Sequence, residues 1–141
     1  MYKRQDILAT CPVGTDRIGM NPHTRGWQIR QELKLPPLAD FALPLDRPGE
    51  TTTSALERAG TYLAEVLRRS ETERNFRMVC PDETTSNLLG AVFTATDRAY
   101  AWPVEEAVAK DASLSPTGRV MEILSEHTCQ GWLQGLSLIH I

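Results

Sequence analysis

Two short apolar stretches, Asn75 to Cys80 and Val120 to Leu124, each stop abruptly at a segment rich in hydroxyls and carboxylates. The first alternates apolar with polar residues, then turns apolar and ends at Pro81. The second gives way to Ser125-Glu126-His127 before Trp132 and Leu133 resume an apolar pattern. Both read as buried strands. Between them, a helix is expected to start near Thr84 or Thr85 and to bury Leu88, Leu89, Val92 and Phe93. Val104 to Lys110 reads as a short helix, Ser115-Pro116-Thr117-Gly118 as a turn, and the chain after Leu124 as a further helix. Strand, helix, strand, helix is an α/β rhythm, usually built around a parallel sheet, here with only two evident strands.

Upstream, Ser54-Ala55-Leu56-Glu57 has the form of a capping box, and Leu56, Ala59, Leu63, Val66 and Leu67 follow at helical spacing. Arg68 and Arg69 suit the negative end of that helix. Asp6 to Gly49 is different: six prolines and four glycines interrupt it and no period of 2 or 3.6 survives, so it reads as an irregular linker lying on other structure. With 141 residues the chain has room for one modest domain. It contains no internal repeat and no low-complexity tract.

A net charge of -3 provides no basic footprint for a phosphate backbone, so nucleic acid is not an expected partner. No apolar run approaches the roughly 20 residues that span a bilayer, and the N-terminus lacks a secretory h-region. Neither a membrane nor export is expected, and a cytoplasmic location follows by default. Cys11, Cys80 and Cys129, odd in number and widely spaced, suit a reducing compartment. The two ends, residues 1–5 and 136–141, resemble translations of a transposon end used as a sequencing adaptor and of its reverse complement. The native segment is then expected to be 6–135, which leaves His140 outside any site.

In open α/β sheets, ligands bind beyond the carboxyl ends of the strands, where loops and helix N-termini gather. Pro81 to Asn87 and Ser125 to Thr128 both follow strands and should share one rim. Hydroxyls and free backbone N–H groups at a helix start can hold a phosphate, and a partly buried carboxylate can hold a proton or anchor a protonated ring nitrogen. The plainer reading stands beside this one: Ser125 or Glu126 as a helix cap, and Ser86 as a polar residue in a first helical turn. His127 and Cys129 have no second cluster at ligand spacing, so no metal site is expected. Cys80 reads as a small buried hydrophobe, His23 as closing a turn, and Trp27, Trp102 and Trp132 as packing residues.

Three stretches carry a resemblance. Cys11 to His23 (CPVGTDRIGMNPH), Arg74 to Arg98 (RNFRMVCPDETTSNLLGAVFTATDR) and Leu114 to Gly135 (LSPTGRVMEILSEHTCQGWLQG) resemble, in order, consecutive parts of the xylulose 5-phosphate/fructose 6-phosphate phosphoketolases. The resemblance implies an incomplete piece of a thiamine diphosphate-binding, transketolase-like parallel-sheet domain preceded by an irregular linker. Residues 6–72 would join the diphosphate-binding and pyrimidine-binding domains, and 73–135 would open the latter. It implies an aldehyde-lyase that splits xylulose 5-phosphate and/or fructose 6-phosphate with inorganic phosphate, giving acetyl phosphate and an aldose phosphate. Thiamine diphosphate and Mg2+ would be its cofactors, with the diphosphate and metal sites outside this segment, and the parent would be a homodimer or higher homo-oligomer.

The same resemblance implies that Glu126 contacts N1′ of the cofactor's aminopyrimidine ring as a catalytic and cofactor-binding residue, and that Ser86 contacts the sugar phosphate. It also exposes a departure. The family pattern Asp-Glu-Thr-Ala-Ser-Asn-Arg-Leu reads Asp82-Glu83-Thr84-Thr85-Ser86-Asn87-Leu88-Leu89 here, with Leu88 in place of the phosphate-binding Arg. Either the parent binds its substrate differently, or Leu88 is a sequencing error, since single-base changes connect Arg codons to Leu codons. Two functions stand: a phosphoketolase fragment that is inactive in isolation, and a non-catalytic binding or regulatory module derived from a pyrimidine-binding domain.

Overall fold

The structure, a computed structural model, describes residues 4–17, 20 and 31–139. The expectations for His23, Trp27 and His140 lie outside the described residues, as do parts of both presumed adaptor ends. The chain falls into two compact units, one of residues 1–30 and 130–141 and the other of residues 31–129. No helix among the described residues is long and apolar enough to cross a membrane.

In the first unit, helix α1 (Arg4–Ala9) occupies part of the region expected to be irregular. Residues 4–10 contain neither proline nor glycine, and Asp6 sits in the first turn, where the helix dipole favours a negative charge. Thr10 and Cys11 close the last turn with backbone bonds of 3.1 Å to Ile7 and Leu8, and Pro12 follows where a helix cannot continue. A 3-10 turn, Gly14–Asp16, comes next.

The second unit is built on helix α2 (Ala55–Arg69). Its start follows the expected cap: Ser54 Oγ accepts the Glu57 N–H at 3.0 Å. The Glu57 carboxylate does not complete the box but accepts a hydrogen bond from Thr53 Oγ1 at 3.2 Å. One face buries Gly60, Ala64, Val66 and Leu67, while Leu56 faces out. The preceding segment lies across this helix. Its 3-10 turn, Leu38–Phe41, sets the Phe41 ring edge-on to Tyr62 at 5.2 Å. The Arg58 guanidinium donates to the Phe41 carbonyl at 2.7 and 3.0 Å and to that of Ala42 at 3.1 Å.

The sheet has four strands where two were expected: β1 (Met78–Cys80), β2 (Arg98–Ala99), β3 (Leu114–Ser115) and β4 (Val120–Glu122). Their order is β1-β4-β2-β3, and every pairing is parallel, confirming the α/β class. Two-residue strands such as β2 and β3 are too short to show any period, so they left no signal. Helix α3 (Glu106–Asp111) connects them, and α4 (Glu126–Ile139) follows β4. Leu67, Val92 and Val120 form the fully buried centre, with Leu63, Phe76, Met78, Phe93 and Ala95 packed round it. Trp102, expected to pack, is 77% exposed.

The expected helix from Thr84 through Phe93 does not form as one piece. A single turn spans residues 84–88, and a separate 3-10 helix, Gly90–Thr94, follows it. Leu88 breaks the helix by adopting φ 61°, in the left-handed region. The Leu89 N–H bonds the Thr84 carbonyl and the Leu88 N–H bonds that of Thr85, both at 3.0 Å, which is the Schellman ending of a helix with Leu88 in the position that usually holds glycine.

Two residues secure the start of β4. Gly118, at the end of a turn closed by its N–H to the Ser115 carbonyl at 3.0 Å, lies where a Cβ would be 2.4 Å from the backbone carbon and oxygen of Arg98. Arg119 is buried, and its guanidinium donates to Ser70 Oγ at 3.1 Å, to the Ser70 carbonyl at 3.3 Å and to Glu71. It thus ties β4 to the C-terminus of α2, where a cation is favoured. Gly118→Ala should lower the unfolding free energy by about 1–3 kcal/mol, because backbone rather than a flexible side chain must move aside. A urea titration against the parent chain checks this, and an unchanged midpoint would contradict the close approach of Gly118 to β2.

Candidate active-site rim

The register of β1 with β4 places Cys80 opposite Glu122, and the Ile123 N–H continues the ladder to the Cys80 carbonyl at 3.1 Å. The segments leaving these strands, Pro81 to Leu89 and Ile123 to Thr128, therefore start side by side at the carboxyl edge of a parallel sheet, as expected.

At the second exit, the capping duty belongs to Ser125. Its Oγ accepts the Thr128 N–H at 3.3 Å and pairs with Thr128 Oγ1 at 2.9 Å, and its carbonyl accepts the Cys129 N–H at 3.0 Å. Glu126 is then the first residue of α4, where the helix dipole favours its charge. Its side chain is exposed, and no hydrogen bond or ion pair joins its carboxylate to another described residue. Among the described residues its acceptor capacity is unspent.

At the first exit, the turn is wound on its own acids. Asp82 accepts the Glu83 N–H at 2.8 Å and the Asn87 amide at 3.0 Å, and Asn87 also donates to the Glu83 carbonyl at 2.9 Å. The Asn87 amide, with the Glu83 N–H, holds the Asp82 carboxyl below its usual range. Ser86 is exposed, and its hydroxyl donates to Glu83 Oε2 at 2.5 Å. A phosphate approaching Ser86 would therefore meet a carboxylate already engaged there. Leu88, expected to be buried, is 52% exposed. Behind it, a Cβ on Gly60 of α2 would lie 3.1 Å from Leu89 Cα and 3.2 Å from the Leu88 carbonyl oxygen, so the helix packs directly against the backbone of the turn.

Sequence reasoning missed Glu122, the last residue of β4. Its Oε2 accepts the Thr84 N–H at 2.7 Å and its Oε1 accepts Arg98 Nε at 2.8 Å. Arg98 is itself held by the Ala112 carbonyl at 2.9 Å and lies 4.0 Å from the centre of the Phe93 ring. Burial pushes the Glu122 carboxyl up, but the hydrogen bonds from Thr84 and Arg98 and the guanidinium charge outweigh it, leaving the group below its usual range. The available signal was a charge inside an apolar strand-like run, a placement that needs a partner. Thr84 is fully buried.

The remaining candidates separate cleanly. Cys80 and Cys129 are buried free thiols, and burial, followed by Cys80 and Glu126, pushes the Cys129 thiol up, away from the reactive thiolate. His127 is exposed. Among the described residues no three His, Cys, Asp or Glu side chains converge on a point that could hold a metal.

Two outcomes follow from this geometry. Leu88→Gly should raise the unfolding free energy by about 1 kcal/mol, since glycine reaches the left-handed region freely; inside a continuous helix the same change would cost about that much. The sign of the shift in urea midpoint decides between the two conformations. Because the Glu122 pKa is lowered on folding, its contribution is complete above the ordinary carboxylate range and is lost as pH falls through the folded-state value. Glu122→Gln should flatten that acid limb in a pH series of urea titrations, and an unaltered limb would contradict it.

A family model described as D-xylulose 5-phosphate/D-fructose 6-phosphate phosphoketolase matches residues 57–139. Proteins named "Probable phosphoketolase" from Bradyrhizobium diazoefficiens and Mesorhizobium japonicum are each 46% identical, over 133 and 132 residues, covering 94% of this chain. One of that name from Mycolicibacterium paratuberculosis is 44% identical over 135 residues, or 96% of the chain. The chain spans only 16% of the length of these three relatives. With more than half of the chain matched by the family model, it belongs to the phosphoketolase family, as a short piece of a longer family sequence.

Proposed function

We propose that the full-length protein containing this chain is a phosphoketolase that cleaves xylulose 5-phosphate, fructose 6-phosphate or both with inorganic phosphate, releasing acetyl phosphate and a shortened aldose phosphate. Family membership supports this reading. The observation that carries it is Glu126, an exposed carboxylate without a described partner, at the head of α4 on the rim shared with the Ser86 turn. Residues 6–72 act as the connection between the diphosphate-binding and pyrimidine-binding domains, and residues 73–135 open the second. The protein works as a homodimer or higher homo-oligomer in the cytoplasm, a compartment that suits its three free thiols.

Thiamine diphosphate fits this chain at its pyrimidine end, where Glu126 offers the acceptor that a protonated ring nitrogen needs. In this reading metal and diphosphate are held by parts of the protein outside this segment. When bound, the cofactor supplies the electron sink that lets the ketose carbon–carbon bond break. Glu126 holds a proton at N1′ by accepting its hydrogen bond, and so sets the ring's tautomer. Ser86 contacts the sugar phosphate when its hydroxyl leaves Glu83 Oε2 and donates to a phosphate oxygen instead. Leu88 contributes no charge where the family's Arg would.

One observation favours a second reading. A Ser86 hydroxyl spent on Glu83 beside an uncharged Leu88 is a poor phosphate site, which suits a non-catalytic binding or regulatory module. Kinetics of the full-length enzyme separate the two. Glu126→Gln should slow hydrogen–deuterium exchange at the cofactor C2 by about 10²–10⁴-fold while the fold survives. Exchange at the parent's rate would leave Glu126 without a catalytic role. Leu88→Arg should lower KM for the sugar phosphate by roughly ten- to a hundredfold with kcat little changed. The isolated 141-residue chain should form no acetyl phosphate when supplied with xylulose 5-phosphate, cofactor, Mg2+ and phosphate. Product from it would overturn the assignment of the missing ligands to other segments.

A further inference from the structure

Glu122 has two oxygens and spends them on different parts of the fold. Oε1 takes Arg98 Nε at 2.8 Å, an ion pair within the sheet. Oε2 takes the Thr84 N–H at 2.7 Å, the first residue of the turn that carries Ser86 and Leu88. An ion pair alone would satisfy a half-buried acid inside a strand. The second bond instead reaches out of the sheet and holds the backbone of the neighbouring exit. Glu122 is also four residues before Glu126 on the same stretch of chain, with Ser125 fixing the start of α4 between them. The carboxylate therefore joins the two halves of the rim, the Ser86 turn and the strand that delivers Glu126. The opposite side of the turn is fixed by Gly60 of α2, against the backbone of Leu88 and Leu89.

We infer that Glu122 is a positioning residue for substrate binding: its carboxylate sets the height of the Thr84–Leu88 turn relative to Glu126, and so places the sugar-phosphate contacts against the cofactor end of the site. This rests on the phosphoketolase reading above. Glutamine at this position can accept one of the two N–H groups but turns its amide toward the other donor, so the turn comes loose while the strand remains.

The test uses the full-length enzyme carrying this segment, with Glu122→Gln compared with the parent by amide hydrogen exchange and by steady-state kinetics on xylulose 5-phosphate. Exchange in the peptide covering residues 84–89 should speed up by about tenfold with that in α2 unchanged, as expected of local rather than global opening. KM should rise roughly tenfold while kcat stays within about threefold, the split expected for lost substrate positioning. Faster exchange spread equally through α2 and the sheet, with KM unchanged and kcat reduced, would show that Glu122 only stabilises the fold and would overturn the inference. Parent-like exchange at residues 84–89 would also overturn it. Should the Gln variant not accumulate, Glu122→Asp keeps the charge for Arg98 and is too short to hold both donors, so it should give the same local pattern. An enzyme inactive on both ketose phosphates would defeat the phosphoketolase reading by itself, and exchange at residues 84–89 would still decide whether Glu122 holds the turn.

Discussion

Parallel pairing of β1 with β4, from Met78↔Val120 to Cys80↔Glu122, brings two chain exits to one edge of the sheet, and the candidate site consists of what those exits carry. The pairing depends on two residues just before β4. Gly118 has no side chain to collide with the Arg98 carbonyl, so β4 can also lie against β2. Arg119 anchors the strand to the end of α2 through Ser70 and Glu71, and Val120 then enters the centre formed with Leu67 and Val92. With a fully buried centre this small, backbone fit and a buried guanidinium do work that a larger apolar core would otherwise do.

Two acids at the end of β4 illustrate how position sets chemistry. Glu122 lies within the sheet, where an unpaired carboxylate would be costly, and it is satisfied by a backbone N–H and a guanidinium. Glu126 lies beyond the cap, where the helix dipole supports its charge and no described side chain uses its oxygens. The first is suited to holding structure and the second to meeting a ligand. Ser125 caps the helix with its hydroxyl, which accepts the Thr128 N–H.

At the other exit, a left-handed Leu88 closes a single hydrogen-bonded turn and leaves its side chain on the outside. A non-glycine residue in that conformation costs roughly 1–2 kcal/mol, which persists only where the surroundings insist on it. Gly60, without a side chain, lets α2 lie directly against the backbone of this turn. The left-handed backbone at this position directs the Leu88 side chain outward.

The elements legible in the sequence are those whose signals are local. Ser54 with Glu57 and the apolar spacing to Leu67 specify α2, the apolar stretches specify β1 and β4, and their shared rim follows from the α/β rhythm. Family membership was legible too, from three long motifs in order. Tertiary structure alone decided the rest. Strands β2 and β3 exist only because neighbouring backbone completes their hydrogen bonds. Leu88 takes a left-handed backbone in a turn that α2 packs against closely, a tertiary contact that no propensity for leucine records. The partners of Glu122 and Ser86 depend on register and on which donor lies within about 3 Å, and hydrogen bonds are that short-ranged. A sequence can specify where a carboxylate or hydroxyl occurs along the chain, but only the fold determines which donors and acceptors remain for a ligand.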